Sequence, residues 1–390
     1  MRKVLILTSE IPNSLHAGSM QLLRVFQDYP SDRLFVLGPK PPKNCRLLGC
    51  SYKTLPFGIH RWRNTRFHRL AMSAVLTLPW LRPGSLMIWK KLGSFKPDVV
   101  FTVMDNVSHF VTAFEFAKKH RLPLITMTMD EPDSFEKIYP AFITIQQNKI
   151  RDVYKYAEKN LCVSRQMTRH IAHKYDCETE TFYFGPPDGM KLRPAAESSR
   201  LKKSGVLTLG YAGGLTYGYR GAIQNIAKAL AGSSVQIRIY SRDKPDWDLG
   251  GNLEYAGCFP HEELWCKVKD ECDASLLVYD FFHPESRLYR THFPTKLSEY
   301  TWLGMPMVMV GPDYATGIIW GLEHPQGALV GTDPELAGLK DKLEELASCP
   351  DKRVTMAQAV GELSGLEFDP IRIRANFMQL VSTKKLKAST

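Results

Sequence analysis

Gly210-Tyr-Ala-Gly213-Gly214-Leu-Thr-Tyr-Gly218-Tyr-Arg220-Gly221 lies between a short apolar run, Val206–Tyr211, and a stretch of helical spacing, Gly221–Ala231. A strand, a glycine-rich turn and a helix in that order form one step of a parallel α/β sheet. Such sheets bind ligands outside the carboxyl ends of their strands. Glycines let backbone N–H groups come close to a phosphate. The helix N-terminus adds a favourable partial charge, and the Arg220 guanidinium can fork onto a diphosphate. The glycine spacing fits neither GxGxxG nor a Walker A loop, so it does not specify a generic dinucleotide site. A tight turn with an exposed arginine is the plainer alternative.

Downstream the alternation continues. Strands are expected at Val235–Tyr240, Leu253–Tyr255, Ala274–Val278 and Met307–Val310, and helices at Glu262–Lys269 and Lys296–Leu303. Three helices close the chain, around Leu336–Ala347, Asp351–Leu363 and Asp369–Val381. Upstream, the same pattern opens the sequence. Strands are expected at Val4–Leu7, Arg33–Leu37, Asp98–Val103, Leu124–Met129 and Asn160–Val163. Helices fall at Met20–Tyr29, Phe110–His120, Ile138–Tyr156 and Gln166–Tyr175. Short apolar strands separated by helices argue for a parallel sheet covered on both faces. The polar stretch 191–205, with Pro194, Ser198 and Ser199, is the expected linker. The expected division is a domain over 1–190, a linker over 191–205, a second domain over 206–365 and a terminal segment over 366–390. A cleft between the two halves is the expected site.

With 390 residues and 44% hydrophobic composition, the chain suits two domains and excludes a disordered or low-complexity class. Eight cysteines without CxxC spacing fit a reduced, cytosolic protein. The apolar part of the N-terminus is too short for a signal peptide, and the longest apolar stretch, Leu70–Leu81, is too short to span a bilayer. The net charge is +11, but it is not spread evenly. Residues 33–97 contain thirteen Lys and Arg and no Asp or Glu, so the rest of the chain, the difference between +11 and +13, carries −2. Trp62, Phe67, Leu70, Trp80 and Leu81 are interleaved with those cations. Cations beside Trp and Leu suit the boundary between water and anionic lipid. A solvated basic rim is the alternative, and no recognised nucleic-acid module accompanies the patch.

A second motif is Pro294-Thr-Lys296-Leu-Ser-Glu299-Tyr-Thr-Trp-Leu-Gly304-Met-Pro306. Gly304 and Pro306 end a helix. Lys296 and Glu299 stand three apart and share its face. A carboxylate there can accept two ribose hydroxyls, and the lysine can meet phosphate or a sugar oxygen. The alternative is an ordinary surface ion pair. Asp246-Trp-Asp248 imitates a DxD metal motif, but it precedes Gly250-Gly251 and suits a polar turn.

Together these motifs resemble the GT-B glycosyltransferases, specifically the retaining family 4. Further matches are Tyr255-Ala-Gly257, Glu263-Leu264, Asp273-Ala-Ser275, Cys162-Val-Ser164, Gly185-Pro-Pro-Asp188 and the Pro12…Gly18-Ser19 turn. The resemblance covers nearly the whole chain. It implies an α/β protein with two Rossmann-like domains facing across a cleft, and a C-terminal helix crossing back to the N-terminal domain. Departures are Thr291 at the first position of the Glu-x7-Glu pair, Gly214 where Arg is commonest, and Asp130-Glu131 where many members carry His.

The resemblance implies transfer of a sugar, with retention, from a nucleotide-diphosphate sugar bound in the C-terminal domain. Arg220 and Lys296 would stabilise the departing diphosphate together with backbone amides, and Asp130 and His109 would face the reaction. Gly18, Gly213, Gly214, Arg220, Lys296 and Glu299 would bind the donor. His16, on a loop after the first strand, and Arg61, Arg63, Arg66 and Arg69 would meet the acceptor or an anionic membrane surface. The acceptor is expected to be a lipid-linked or glycan molecule, with the protein cytoplasmic and peripheral at the inner face of the cell membrane. No metal, no cofactor beyond the nucleotide-sugar co-substrate and no nucleic acid are expected. A non-catalytic nucleotide-sugar binder and a sugar-nucleotide epimerase of the same fold are the alternatives.

Overall fold

A computed structural model describes residues 1–57, 65–133, 138–203, 205–216, 218–247, 250–284 and 286–383. The chain forms two compact units, Met1–Phe184 with Ile371–Thr390, and Gly185–Pro370. In the first unit the elements run β1 Val4–Leu7, α1 Ala17–Phe26, β2 Leu34–Gly38, β3 Ser51–Thr54, α2 His68–Thr77, α3 Ser85–Leu92, β4 Val99–Val103, α4 Val107–His120, β5 Leu124–Thr128, α5 Ile143–Tyr156, β6 Lys159–Cys162, α6 Arg165–Tyr175 and β7 Glu180–Thr181. The strands form one parallel sheet in the order β3-β2-β1-β4-β5-β6-β7. Its centre is apolar on both faces: every residue of β1, β4 and β5 is buried. That is why these strands read as continuous apolar runs and not as alternating ones.

The second unit contains β8 Leu207–Ala212, α7 Tyr219–Ala229, β9 Val235–Tyr240, β10 Leu253–Gly257, α8 His261–Glu271, β11 Ala274–Val278, α9 Lys296–Thr301, β12 Met307–Val310, α10 Thr316–Glu323, β13 Ala328–Gly331, α11 Leu339–Ser348 and α12 Pro350–Glu367. Its parallel sheet has the order β10-β9-β8-β11-β12-β13. In each sheet the order reverses beside the first strand, between β1 and β4 and between β8 and β11. Those are the topological switch points at which open α/β sheets hold ligands.

Two expectations change. The long helix at 138–156 begins only at Ile143, because Pro140 confines the preceding turn to a short 3-10 segment. The linker expected at 191–205 is built into the second unit. Arg193 Nη1 donates to the Cys272 carbonyl at 3.1 Å. Arg353 donates to the carbonyls of Ser198 and Ser199 at 2.9 and 2.8 Å. Asp273, the acidic residue of the Asp-Ala-Ser motif, accepts the amides of Lys202 and Thr208, both at 2.8 Å. The polar composition of this stretch therefore serves buried hydrogen bonds and not solvation. Gly304 permits the close approach: its φ is +64°, and a Cβ there would lie 2.8 Å from the Arg193 carbonyl oxygen.

The last helix, α13 Pro370–Ser382, belongs to the first unit. Phe377 enters that unit's core, with ring centroids 4.8 Å from Phe26, 5.4 Å from Phe182 and 5.9 Å from Phe101. Arg374 Nε pairs with Asp28 at 2.6 Å. No described helix is long and apolar enough to cross a membrane.

Candidate functional site

The second unit's switch point carries the Gly210–Gly221 turn on one side and α9 on the other. Lys296 connects them. Its ammonium lies 4.5 Å from the Tyr211 ring centre and 5.0 Å from that of Tyr219, and donates to the Tyr211 hydroxyl at 3.3 Å. It also covers Gly213, where a Cβ would sit 2.1 Å from Nζ. Gly213 has φ +151°, so glycine is needed there for both conformation and space. Burial between two aromatic rings pulls the Lys296 ammonium down to about 8, with the Glu299 charge opposing the shift. Glu299 is buried on the same helix, and its Oε1 lies 3.1 Å from His261 Nε2. Lys296 and Glu299 are thus held by unit-internal contacts, which separates them from an exposed surface pair.

The glycine turn is more self-satisfied than its sequence implies. The Gly213 amide donates to the Tyr240 carbonyl at 2.9 Å, and the Leu215 amide to the Asp243 carboxylate at 3.1 Å. Both are therefore engaged within the unit. Tyr211 donates its hydroxyl to the Gly214 carbonyl at 2.6 Å, which fixes the turn's shape. A Cβ at Gly214 would meet nothing closer than 3.6 Å, so that glycine is not sterically required. Arg220 is 44% exposed at the side chain, ion-paired to Asp246 at 2.8 Å and stacked on Trp247 at 4.4 Å. The pair engages one end of the guanidinium, Nη1, and accounts for Asp246 as its partner. Asp248 lies outside the described residues. On the other side, Asp280 follows β11 and approaches Gly218, where a Cβ would lie 2.7 Å from its Oδ2. The position of the missing first glutamate, Thr291, is buried.

The first unit's switch point is built from carboxyl groups and hydroxyls. Ser9 and Glu10 follow β1, and Asp105 follows β4. Ser9 donates its hydroxyl to Asp105 Oδ2, and Ser19, in the first turn of α1, donates to Glu10. Asp105 Oδ1 is buried with no hydrogen-bond partner among the described residues. Burial pushes this carboxyl up to about 7; the Ser9 hydroxyl opposes the rise and the charge of Glu10 adds to it. Gly18 lies beside Glu10, 3.6 Å from its Cγ for a Cβ built there, in ordinary contact. With two carboxylates beside it, this turn suits hydroxyl groups better than a phosphate.

The remaining sequence candidates scatter. His109 is fully buried in the first turn of α4, with its ring 3.8 Å from that of Phe57 and its Nδ1 2.9 Å from Asn106 Oδ1. His16 is exposed at the N-cap of α1. Asp130 is half-buried beyond β5, and its neighbours Glu131 and Asp133 reach His170 and Lys174 of α6 at 3.7 and 2.8 Å. Arg66 and Arg69 are exposed, while Arg61 and Arg63 lie outside the described residues. Sequence reasoning passed over Tyr211, Tyr219, Asp243, Ser9, Glu10 and Asp105. A signal existed for the tyrosines, since both flank the glycines of the quoted motif. Among the described residues no three His, Cys, Asp or Glu side chains are grouped to hold a metal ion.

No family model matches the chain, and no curated protein matches it in sequence. Solved structures do match in fold. The structure of HepE from Anabaena in complex with UDP is 14% identical, covering 97% of this chain and 99% of that one, with a TM-score of 0.68. Sucrose-phosphate synthase from Thermosynechococcus elongatus is 11% identical, covering 97% of each chain, with a TM-score of 0.66. WaaG, a glycosyltransferase involved in lipopolysaccharide biosynthesis, is 14% identical, covering 97% of this chain and 99% of that one, with a TM-score of 0.60. The likeness extends over both units, and the chain has the two-domain α/β architecture of the GT-B fold.

Proposed function

We propose that the protein is a glycosyltransferase that takes a nucleotide-diphosphate sugar in its second unit. The observation that carries this reading is the Lys296 ammonium, held over Gly213 between Tyr211 and Tyr219, with the buried Glu299 carboxylate on the same helix. A cation with a lowered affinity for its own proton, fixed at a switch point, is suited to an incoming diphosphate. As the bond from the anomeric carbon to the diphosphate oxygen breaks, negative charge grows on that oxygen. A preorganised ammonium stabilises it. Glu299 would receive ribose hydroxyls. The new bond forms between the anomeric carbon and an acceptor oxygen, with retention, and the hydroxyl proton leaves with the diphosphate. No resident cofactor is needed.

The acceptor is proposed to be a hydroxyl-bearing glycan or lipid-linked molecule whose hydroxyls are received by Asp105 and Glu10 at the first unit's switch point. The fold likeness to glycosyltransferase structures, the buried Lys296 ammonium at one switch point and the Glu10 and Asp105 carboxyl groups at the other support this division of labour. The experiment is to offer UDP-sugars and other nucleotide sugars with a lipid and glycan extract, and to measure free nucleotide diphosphate and a heavier product together. Nucleotide binding without either product favours a non-catalytic binder. Nucleotide sugar converted to its epimer favours an epimerase.

A further inference from the structure

The segment from Phe67 to Lys91 carries large apolar side chains that are exposed among the described residues. Leu70 on α2 is 55% exposed, Trp80 in the turn after it 75%, and Leu86 on α3 85%; Phe67, Leu81 and Met87 are also exposed. These helices have proper inward faces: α2 buries Met72, Val75 and Leu76, and α3 buries Ile88 and Leu92. Leu70 and Leu86 stand on the sides of their helices turned away from those buried residues, so they are not a misplaced core. A soluble surface seldom carries so many large apolar groups in one short segment.

The segment is also held rigidly. Arg82 is buried; it donates to the Val75 and Leu76 carbonyls at the end of α2 and pairs with Glu115 of α4. That clamp fixes the turn carrying Trp80 and Leu81. It also removes one of the thirteen cations of residues 33–97 from the surface. Arg66, Arg69, Lys90 and Lys91, at the two ends of the same segment, remain exposed.

We infer that this face docks on a bilayer surface containing anionic lipid, with Leu70, Trp80 and Leu86 entering the interface and the four cations meeting headgroups. Charge complementarity selects this occupant. An apolar face for a second protein does not call for a 65-residue window free of carboxylates, whereas a negative lipid surface attracts each cation near it. The inference stands independently of the proposed reaction.

The test is flotation of the full chain with phosphatidylcholine vesicles, with and without phosphatidylglycerol, across a salt series. Floating is expected only with the anionic lipid, weakening as salt rises. Trp80→Ser and Leu86→Gln should each lower partitioning about tenfold. Both side chains are exposed, so the fold should survive, and unchanged far-UV circular dichroism and Tm verify it. Replacing Arg66, Arg69, Lys90 and Lys91 with Gln should lower binding further and flatten the salt response. Three results would each overturn the inference: no flotation at low salt, equal flotation with both vesicle types, or parent-like flotation of the Trp80 and Leu86 variants. Self-association of the lipid-free chain that those variants abolish, without flotation, would assign the face to a second copy instead.

Discussion

Binding of a nucleoside diphosphate to Lys296 should take up a proton from solution. In the free protein the ammonium loses its proton at about pH 8, because burial between Tyr211 and Tyr219 disfavours the charge. A diphosphate beside it reverses that balance and should restore the group to about its ordinary value near 10.4. The sign follows directly. Below pH 7 the lysine is charged in both states, and affinity does not depend on it. Between pH 8 and 10 the free protein has lost a proton that the complex holds, so binding must recapture it and affinity falls. By pH 9 only about a tenth of the free protein is charged, so affinity for UDP should fall roughly tenfold, about 1.4 kcal/mol, with close to one proton taken up per complex. Titration calorimetry of UDP at pH 7 and pH 9, in buffers of different ionisation enthalpy, reads both quantities. Lys296→Arg serves as the control, since a guanidinium stays charged across this range and its affinity should be flat. Equal UDP affinity at the two pH values with no proton uptake would refute the assignment of Lys296 to the diphosphate.

Gly213→Ala should drive Lys296 out of its seat and strain the turn, lowering UDP affinity at least tenfold in the same calorimetric assay while the far-UV circular dichroism is unchanged. Asp105 is a carboxyl whose folded value, about 7, exceeds the usual 3.8, so the folded state keeps a proton that the unfolded chain releases. Stability should therefore decline as pH rises from about 4 to 7, by up to about 4 kcal/mol. Tm measured at pH 5 and pH 8 should fall for the parent and not for Asp105→Asn. Phe377→Ala should cost about 3–5 kcal/mol, read from urea unfolding, because it empties a site between Phe26, Phe101 and Phe182. Glu299→Ala should weaken UDP binding by roughly 1.5–3 kcal/mol, whereas Arg220→Ala should change it by less, because Arg220 is held by Asp246 and Trp247.

The central strands were legible because burial on both faces turns them into uninterrupted apolar runs, as in Val4–Leu7 and Ala274–Val278. Three of the four edge strands were not, β10 at Leu253–Gly257 being the exception. β3, Ser51–Thr54, has three exposed residues and the other half-buried, so it carries no apolar run, and β7 is two residues long. β13, Ala328–Gly331, is a four-residue run whose last two positions are only half-buried. The stretch at 191–205 failed as a linker for a different reason. Composition cannot tell polar residues that face water from polar residues that serve buried carbonyls, and Arg193 and Arg353 make that difference by contacts far apart in sequence.

The candidate site divides along the same line. Lys296 and Glu299 were legible because their spacing places them on one helix face, a local property. Asp105 was not, because its significance arises from Ser9, ninety-six positions away, brought beside it only when β1 and β4 pair. Arg220 shows the converse: its motif was legible, but its pairing with Asp246, in a stretch read as a polar turn, was not. Both switch points have the same topology, yet one gathers two carboxylates and the other an aromatic-caged ammonium. A sheet's strand order fixes where a ligand can sit. The groups gathered there then bear on which one: Lys296 can stabilise a diphosphate, whereas Glu10 and the Asp105 carboxyl suit hydroxyl groups. The two pH responses should be separable in the same protein, because the one at Asp105 runs its course between about pH 4 and 7 and the one at Lys296 between about pH 8 and 10.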